Sequence, residues 1–189
     1  MTTTMRPARR RGARALAAAA VAGSLALAAA GCGESGDYAV PDRVCGVPVD
    51  ADTLSPLLPD GEKLTESRRD KGPGSKSCRV TVDDTLVVYL AGDITDRGTD
   101  AVSPGDRGLR RLGEPALVQG VGDKAAVADG GAKAMASCTY KGEPRQFVGL
   151  VQLEADAPVP AKTPERRDAL LAFLKSWFPA AGEAQGCAP

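Results

Sequence analysis

Cys78-Arg79-Val80-Thr81-Val82-Asp83-Asp84-Thr85-Leu86-Val87-Val88-Tyr89-Leu90 is the stretch that decides the fold. Residues 78–82 alternate polar and apolar, the period of a half-buried strand, and 85–90 form a short apolar run rich in β-branched residues. Two aspartates lie between them, and Asp tolerates the left-handed backbone that a tight turn requires. The stretch therefore reads as a β-hairpin, and an antiparallel sheet is expected to grow from it.

Further strands follow the same style. Gly120-Val121-Gly122-Asp123-Lys124 reads as a turn leading into a short strand. Residues 132–140 and 146–153 read as two strands joined by Lys141-Gly142-Glu143-Pro144. Residues 67–77 (SRRDKGPGSKS) read as a charged loop, and 92–108 (GDITDRGTDAVSPGDRG) as a long acidic one. Before the hairpin, Asp50 is a good N-cap for a short helix over 51–58, which Pro56 limits to about two turns or to partial 3₁₀ geometry. After Pro158-Val159-Pro160 comes the one strong helix signal. Thr163 serves as N-cap and Pro164 takes the first helical position. Leu170, Leu171, Leu174, Trp177 and Phe178 make an apolar stripe, and Pro179 is expected to end the helix. The fold class expected is α+β: an antiparallel sheet of about five or six strands with an amphipathic C-terminal helix on one face.

The first 31 residues are different in kind. Arg6, Arg9, Arg10, Arg11 and Arg14 form a basic segment with no acid, Ala15 to Ala28 is apolar, and Ala29-Ala30-Gly31 are small. This is the three-part pattern of an export signal. A spanning helix needs about 20 strongly apolar residues, and this alanine-rich run, interrupted by Gly23 and Ser24, falls short. Cys32 directly after the small residues makes the segment a lipobox, although Ala29 stands where leucine is usual. The expected organisation is a signal peptide over 1–31, a lipidated Cys32 with a flexible tether over 32–43, and one globular domain over 44–189. Arg10-Arg11 leaves open whether export is general or twin-arginine.

Five of the 24 basic residues lie in that leader, which leaves 19 against 24 acidic ones from Cys32 onward, a net of −5. An acidic domain lacks the excess of Lys and Arg that nucleic-acid binding draws on, so no nucleic-acid partner is expected. The absence of histidine excludes Ser-His-Asp and Cys-His mechanisms and His-containing zinc sites.

Four cysteines remain after Cys32: Cys45, Cys78, Cys138 and Cys187. An even number in an exported chain reads as disulfides. Of three possible pairings, Cys45–Cys78 and Cys138–Cys187 are favoured, because each joins neighbouring elements. The spacings lack the close pairs that zinc sites and redox C-x-x-C motifs use. Asp93, Asp96 and Asp100 miss the register of a calcium loop, and residues 120–124 miss that of a phosphate loop. No catalytic constellation, metal site or cofactor is expected.

The order of export signal, Cys32 lipobox, Cys45 before a leucine-bearing helix, Cys78 opening a strand, and Gly120-Val121-Gly122-Asp123-Lys124-Ala125 before a cysteine-bearing strand resembles small actinobacterial lipoproteins of unknown function. It resembles less closely the extracellular sensor domains of actinobacterial serine/threonine kinases, which share a paired-disulfide α+β build. The resemblance implies a diacylglycerol-type anchor on Cys32 and a place on the extracytoplasmic face of the cell membrane. It carries no catalytic residues. The function expected is binding or scaffolding without catalysis. The alternatives are a ligand-sensing or solute-binding module, marked by a deep pocket beside the 93–108 loop, and a hydrolase, marked by two buried carboxylates.

Overall fold

A computed structural model describes residues 37–187. The leader, the lipobox and Cys32 lie outside the described residues. Within them the protein is α+β, with a seven-stranded antiparallel sheet and a 22-residue C-terminal helix packed against it.

A two-stranded ribbon, β1 (Arg43–Val44) and β2 (Val47–Pro48), comes first, followed by α1 (Ala51–Leu54) and a 3₁₀ turn over Ser55–Leu57. Asp50 caps α1 as expected, accepting from the Asp52 N–H at 3.0 Å. The chain is already packed at Tyr38, inside the stretch read as tether. That ring is buried, and its hydroxyl donates to the Pro59 carbonyl.

The sheet consists of β3 (Leu64–Gly72), β4 (Ser75–Val82), β5 (Thr85–Asp96), β6 (Ala116–Val118), β7 (Lys124–Val127), β8 (Gly131–Tyr140) and β9 (Glu143–Leu153). Their order is β3-β4-β5-β9-β8-β7-β6. The opening hairpin is β4–β5, with Asp83 and Asp84 at φ 48° and 63°. Positive φ at both central residues is what a two-residue hairpin turn needs to match the strand twist.

The sheet has seven strands against the expected five or six, and β3 and β6 are the two absent from the sequence-based expectation. β3 covers most of the stretch read as a charged loop, and its residues 66–72 are exposed. It is an edge strand, where charges discourage pairing with other chains, so it lacks the apolar alternation that marks an inner strand. β6, only three residues long, is the other edge. The expected acidic loop is also shorter, because β5 runs on to Asp96 against β9 and a short helix, α2 (Arg107–Arg110), closes it.

Helix α3 (Thr163–Ala184) differs from its expected form at three points. Lys162 is the N-cap, so Thr163 is already helical. Phe173, rather than Leu171, belongs to the fully buried stripe, which runs Arg166, Leu170, Phe173, Leu174, Trp177, Phe178, Ala181 and Gly182. The helix also continues through Pro179, whose missing N–H removes a donor for the carbonyl of exposed Lys175. Burial of Ala181 and Gly182 against the sheet outweighs that loss. The Gly182 backbone lies so near Phe147 that a Cβ there would meet its ring at 3.2 Å.

The main core lies between α3 and the sheet face that carries Val80, Val88, Leu90, Phe147 and Val151. A second, smaller core of Val102, Leu109, Ala126, Met135 and Val148 seals α2 to the opposite face. Both disulfides form as favoured. Cys45–Cys78 ties the ribbon to β4 with Cα atoms 5.9 Å apart, and Cys138–Cys187 ties the tail after α3 to β8 at 5.4 Å.

Candidate functional site

The first disulfide holds the β1–β2 ribbon over β4, close to the C-terminal half of α3. Between ribbon, sheet and helix lies a groove of about 200 Å³. Its apolar lining comes from Val44, Val47, Leu90, Trp177 and Ala181, elements spread over most of the domain sequence. Its polar lining is cationic or neutral: Arg68 from β3, Lys76 from β4 and Gln185 just after α3. No Asp or Glu lines it.

Each polar group is positioned by a local partner. Lys76 Nζ donates to the Ala184 carbonyl at 3.2 Å, placing an ammonium at the negative end of the helix. Arg68 Nε lies 3.7 Å from Asp70 and its Nη1 donates weakly to the Cys45 carbonyl at 3.5 Å. Gln185 Nε2 donates to the Gly92 carbonyl at 2.6 Å, while its Oε1 is buried and has no partner among the described residues. A buried acceptor left unpaired costs about 1–3 kcal/mol, and a ligand donor would recover part of that only where the side chain turns this oxygen into the groove. The groove suits a small molecule with an apolar body and one or two polar groups.

Of the residues singled out in the sequence, Cys45 and Cys78 border this groove, whereas Cys138 and Cys187 close the opposite side of α3 and line a second hollow with Phe147 and Phe178. Cys45, Cys78 and the Glu66 carboxylate lie within 4.8 Å of one another, a spacing a metal could bridge. Both sulfurs are joined in the disulfide and offer no thiolate, and Glu66 accepts from the Cys45 N–H instead.

The acids of 93–106 do not converge. Asp93 accepts from Ser75 Oγ, Asp96 pairs with Arg145, Asp100 with Lys124 at 2.7 Å, and Asp106 with Lys133 at 3.0 Å. The Lys124 hydrogen bond holds the exposed Asp100 carboxyl below its ordinary range. Burial alone would raise the Asp106 carboxyl, but the Leu109 N–H and the Lys133 ammonium outweigh it and hold it low. Asp123 serves structure, accepting from the Ser137 N–H at 2.6 Å.

The buried polar side chains among the described residues are Ser77, Gln146 and Arg166, and no carboxylate is among them. The paired buried carboxylates that would mark a hydrolase are not found there, and the groove is bordered by the ribbon rather than by the 93–108 loop. Among the described residues no helix is long and apolar enough to cross a membrane. No family model, curated protein or solved structure matches the chain.

Arg68, Lys76 and Gln185 were not legible as site residues. The first two fall in the stretch that reads as loop, and Gln185 lies beyond the proline expected to end the helix. No motif joins them; the ribbon and its disulfide bring them together.

Proposed function

We propose that this protein is lipid-anchored at the extracytoplasmic face of the cell membrane and acts by binding or scaffolding rather than by catalysis. The carrying observation is the use of cysteines. Cys45, Cys78, Cys138 and Cys187 pair among themselves, which leaves Cys32 as the odd one, directly after an export-signal pattern. The disulfides suggest an oxidising, extracytoplasmic compartment. The resemblance to actinobacterial lipoproteins points the same way, with a diacylglycerol-type group on Cys32.

Growth with a labelled fatty acid tests the anchor. The full chain is expected to take up label and fractionate with membranes, and Cys32→Ala to lose both. Continued labelling of Cys32→Ala would sink the assignment.

The groove favours a second reading, a solute-binding or ligand-sensing module, because Arg68, Lys76 and Gln185 line it together and Gln185 Oε1 has no partner among the described residues. A thermal-shift screen of small amphipathic acids and amides against the disulfide-bonded domain tests it, since binding to the folded state raises apparent stability. Shifts that vanish in Gln185→Leu and Lys76→Ala would support the groove. Shifts unchanged in both would place binding elsewhere.

A further inference from the structure

The sheet face opposite α3 carries a concentration of unpaired positive charge. Strand register places Arg69, Ser77, Ala91, Leu150 and Lys133 in one row across β3, β4, β5, β9 and β8, with Arg79, Tyr89 and Gln152 in the neighbouring row. Arg69, Lys71 and Arg79 gather around Ser77 and Tyr89 at one side. At the other side α2 rises from the same face, and Arg111 borders a hollow with Lys133, Leu150 and Gln152, with Arg107 and Arg110 beside it.

Arg69, Lys71, Arg79, Arg107, Arg110 and Arg111 are all exposed. Among the described residues none of the six forms an ion pair. Lys71 Nζ donates to the Tyr89 hydroxyl at 2.7 Å and lies 5.4 Å from the centroid of that ring, with no carboxylate partner among the described residues. The acids on this side are engaged as well, Asp100 by Lys124, Asp106 by Lys133, Asp93 by the Ser75 hydroxyl and Glu154 by the Gln152 amide. Protection of an edge strand accounts for Arg69 and Lys71. It does not account for Arg79 on an inner strand or for three arginines on and beside α2. In a chain whose net charge from Cys32 onward is −5, such a face is an asymmetry that calls for an anionic partner.

Where the chain leaves the domain indicates which partner. The Asp37 N–H bonds the Gly61 carbonyl at 2.8 Å, and Gly61 packs against Val82 and Asp83 at the β4–β5 turn. The tether therefore departs from the end of the strands, at a rim shared by both faces. That rim is acidic on balance, with Asp37, Asp60, Glu62, Asp83 and Asp84 against Lys63. From Cys32 to Asp37 is five residues, a reach of at most about 18 Å. An anionic surface so close repels the rim and attracts the basic face.

We propose that this face lays the domain flat on an anionic lipid surface, with lipid phosphates meeting the Arg69–Lys71–Arg79 and Arg107–Arg110–Arg111 groups. The tether geometry rests on the lipid-anchor reading of Cys32, but the affinity of the face for lipid does not.

The mature chain, residues 32–189 with Cys32→Ser to remove the acyl site, carries both cores and both disulfides and is the protein to test. It is mixed with phosphatidylcholine vesicles, with and without phosphatidylglycerol, and sedimented. Binding is expected only with phosphatidylglycerol and is expected to fall as salt rises. Each cation near such a surface contributes about fivefold in affinity, so Arg69→Gln/Lys71→Gln/Arg79→Gln together should lose about a hundredfold. The six side chains are exposed and outside the ion pairs, so melting temperature should hold; if the triple variant is unstable, Arg107→Gln/Arg110→Gln/Arg111→Gln provides the same reading. Equal binding to both vesicle types, or full binding by folded variants, overturns the proposal. So does indifference to phosphatidylglycerol combined with tight binding of soluble polyphosphate, which would make the partner a free polyanion. Vesicle binding without fatty-acid labelling of the full chain would sink the anchor and keep the face; labelling without vesicle binding would do the reverse.

Discussion

Arg166 is buried, 8% exposed, yet none of its partners is a carboxylate. Its Nε donates to the Asp129 carbonyl at 2.7 Å, Nη1 to the Pro160 and Ala161 carbonyls at 2.7 and 3.0 Å, and Nη2 to Thr163 Oγ1 at 3.2 Å. A cation in the first turn of α3 opposes the helix dipole, and these four bonds offset the penalty by pinning the helix start to the turn between β7 and β8. Arg166→Met keeps the stem but strands the carbonyls, and should cost about 2–4 kcal/mol in urea unfolding. Arg166→Lys should recover only part of this, because one ammonium cannot span four acceptors in the guanidinium's planar fork. At the opposite face, Asp106 caps α2 through the Leu109 N–H at 2.8 Å and pairs with Lys133. Because its folded-state pKa is lowered, its contribution is fully present above the unfolded value near pH 4 and is lost as pH falls through the folded one. Asp106→Asn retains a capping oxygen without the charge, so its stability should fall less than the wild type's between pH 5 and pH 3. An identical fall would mean that other carboxylates carry the acid sensitivity.

Helix α3 and strand β9 meet through glycine. A Cβ on Gly149 would lie 2.8 Å from Phe178 Cδ2 and 3.1 Å from Trp177 Cζ3, both buried rings with little room to yield. Gly149→Ala should therefore force the helix outward and cost about 1–3 kcal/mol, as overpacking does. Gly105→Ala, where the nearest such contact is Ser103 Oγ at 3.8 Å, serves as the control and should change little. A stable Gly149→Ala would show that α3 is held less tightly than its packing implies. The hairpin β4–β5 and the strands β8 and β9 were legible because their inward residues alternate or run apolar against a buried face. β3 was not, since an edge strand of Ser67, Arg68, Arg69, Asp70 and Lys71 looks like a solvated loop unless its partner is known. The end of α3 was misread for a related reason. Proline opposes helix continuation locally, and only tertiary contacts of Ala181, Gly182 and Cys187 show why the chain goes on. The groove inherits both misreadings, because Arg68 and Lys76 lie in the first and Gln185 in the second.

For the whole molecule, the disulfides divide the work unequally even though their sequence separations, 33 and 49, are similar. By loop entropy each stabilises the native state by about 4 kcal/mol. Losing both removes about 8 kcal/mol from a domain whose total stability should be about 5–15, so full reduction is expected to unfold the protein or bring it close to unfolding. The local consequences should differ. Cys138–Cys187 fastens a tail whose helix is already fixed by Leu170, Phe173, Leu174, Trp177 and Phe178 in the main core. Cys45–Cys78 fastens a ribbon of two-residue strands that have no ladder with the main sheet. Cys45→Ser/Cys78→Ser should therefore raise amide exchange selectively over residues 43–48, with β8 and β9 still protected at a denaturant concentration well below the midpoint. It should also abolish any ligand-induced thermal shift that depends on the groove, because Val44 and Val47 form one of its walls. Cys138→Ser/Cys187→Ser should lower the unfolding midpoint by a similar amount while leaving that shift intact. Equal loss of protection across the sheet in both variants would show that ribbon and core open as one unit, and the groove could not then be assigned a separate hinge.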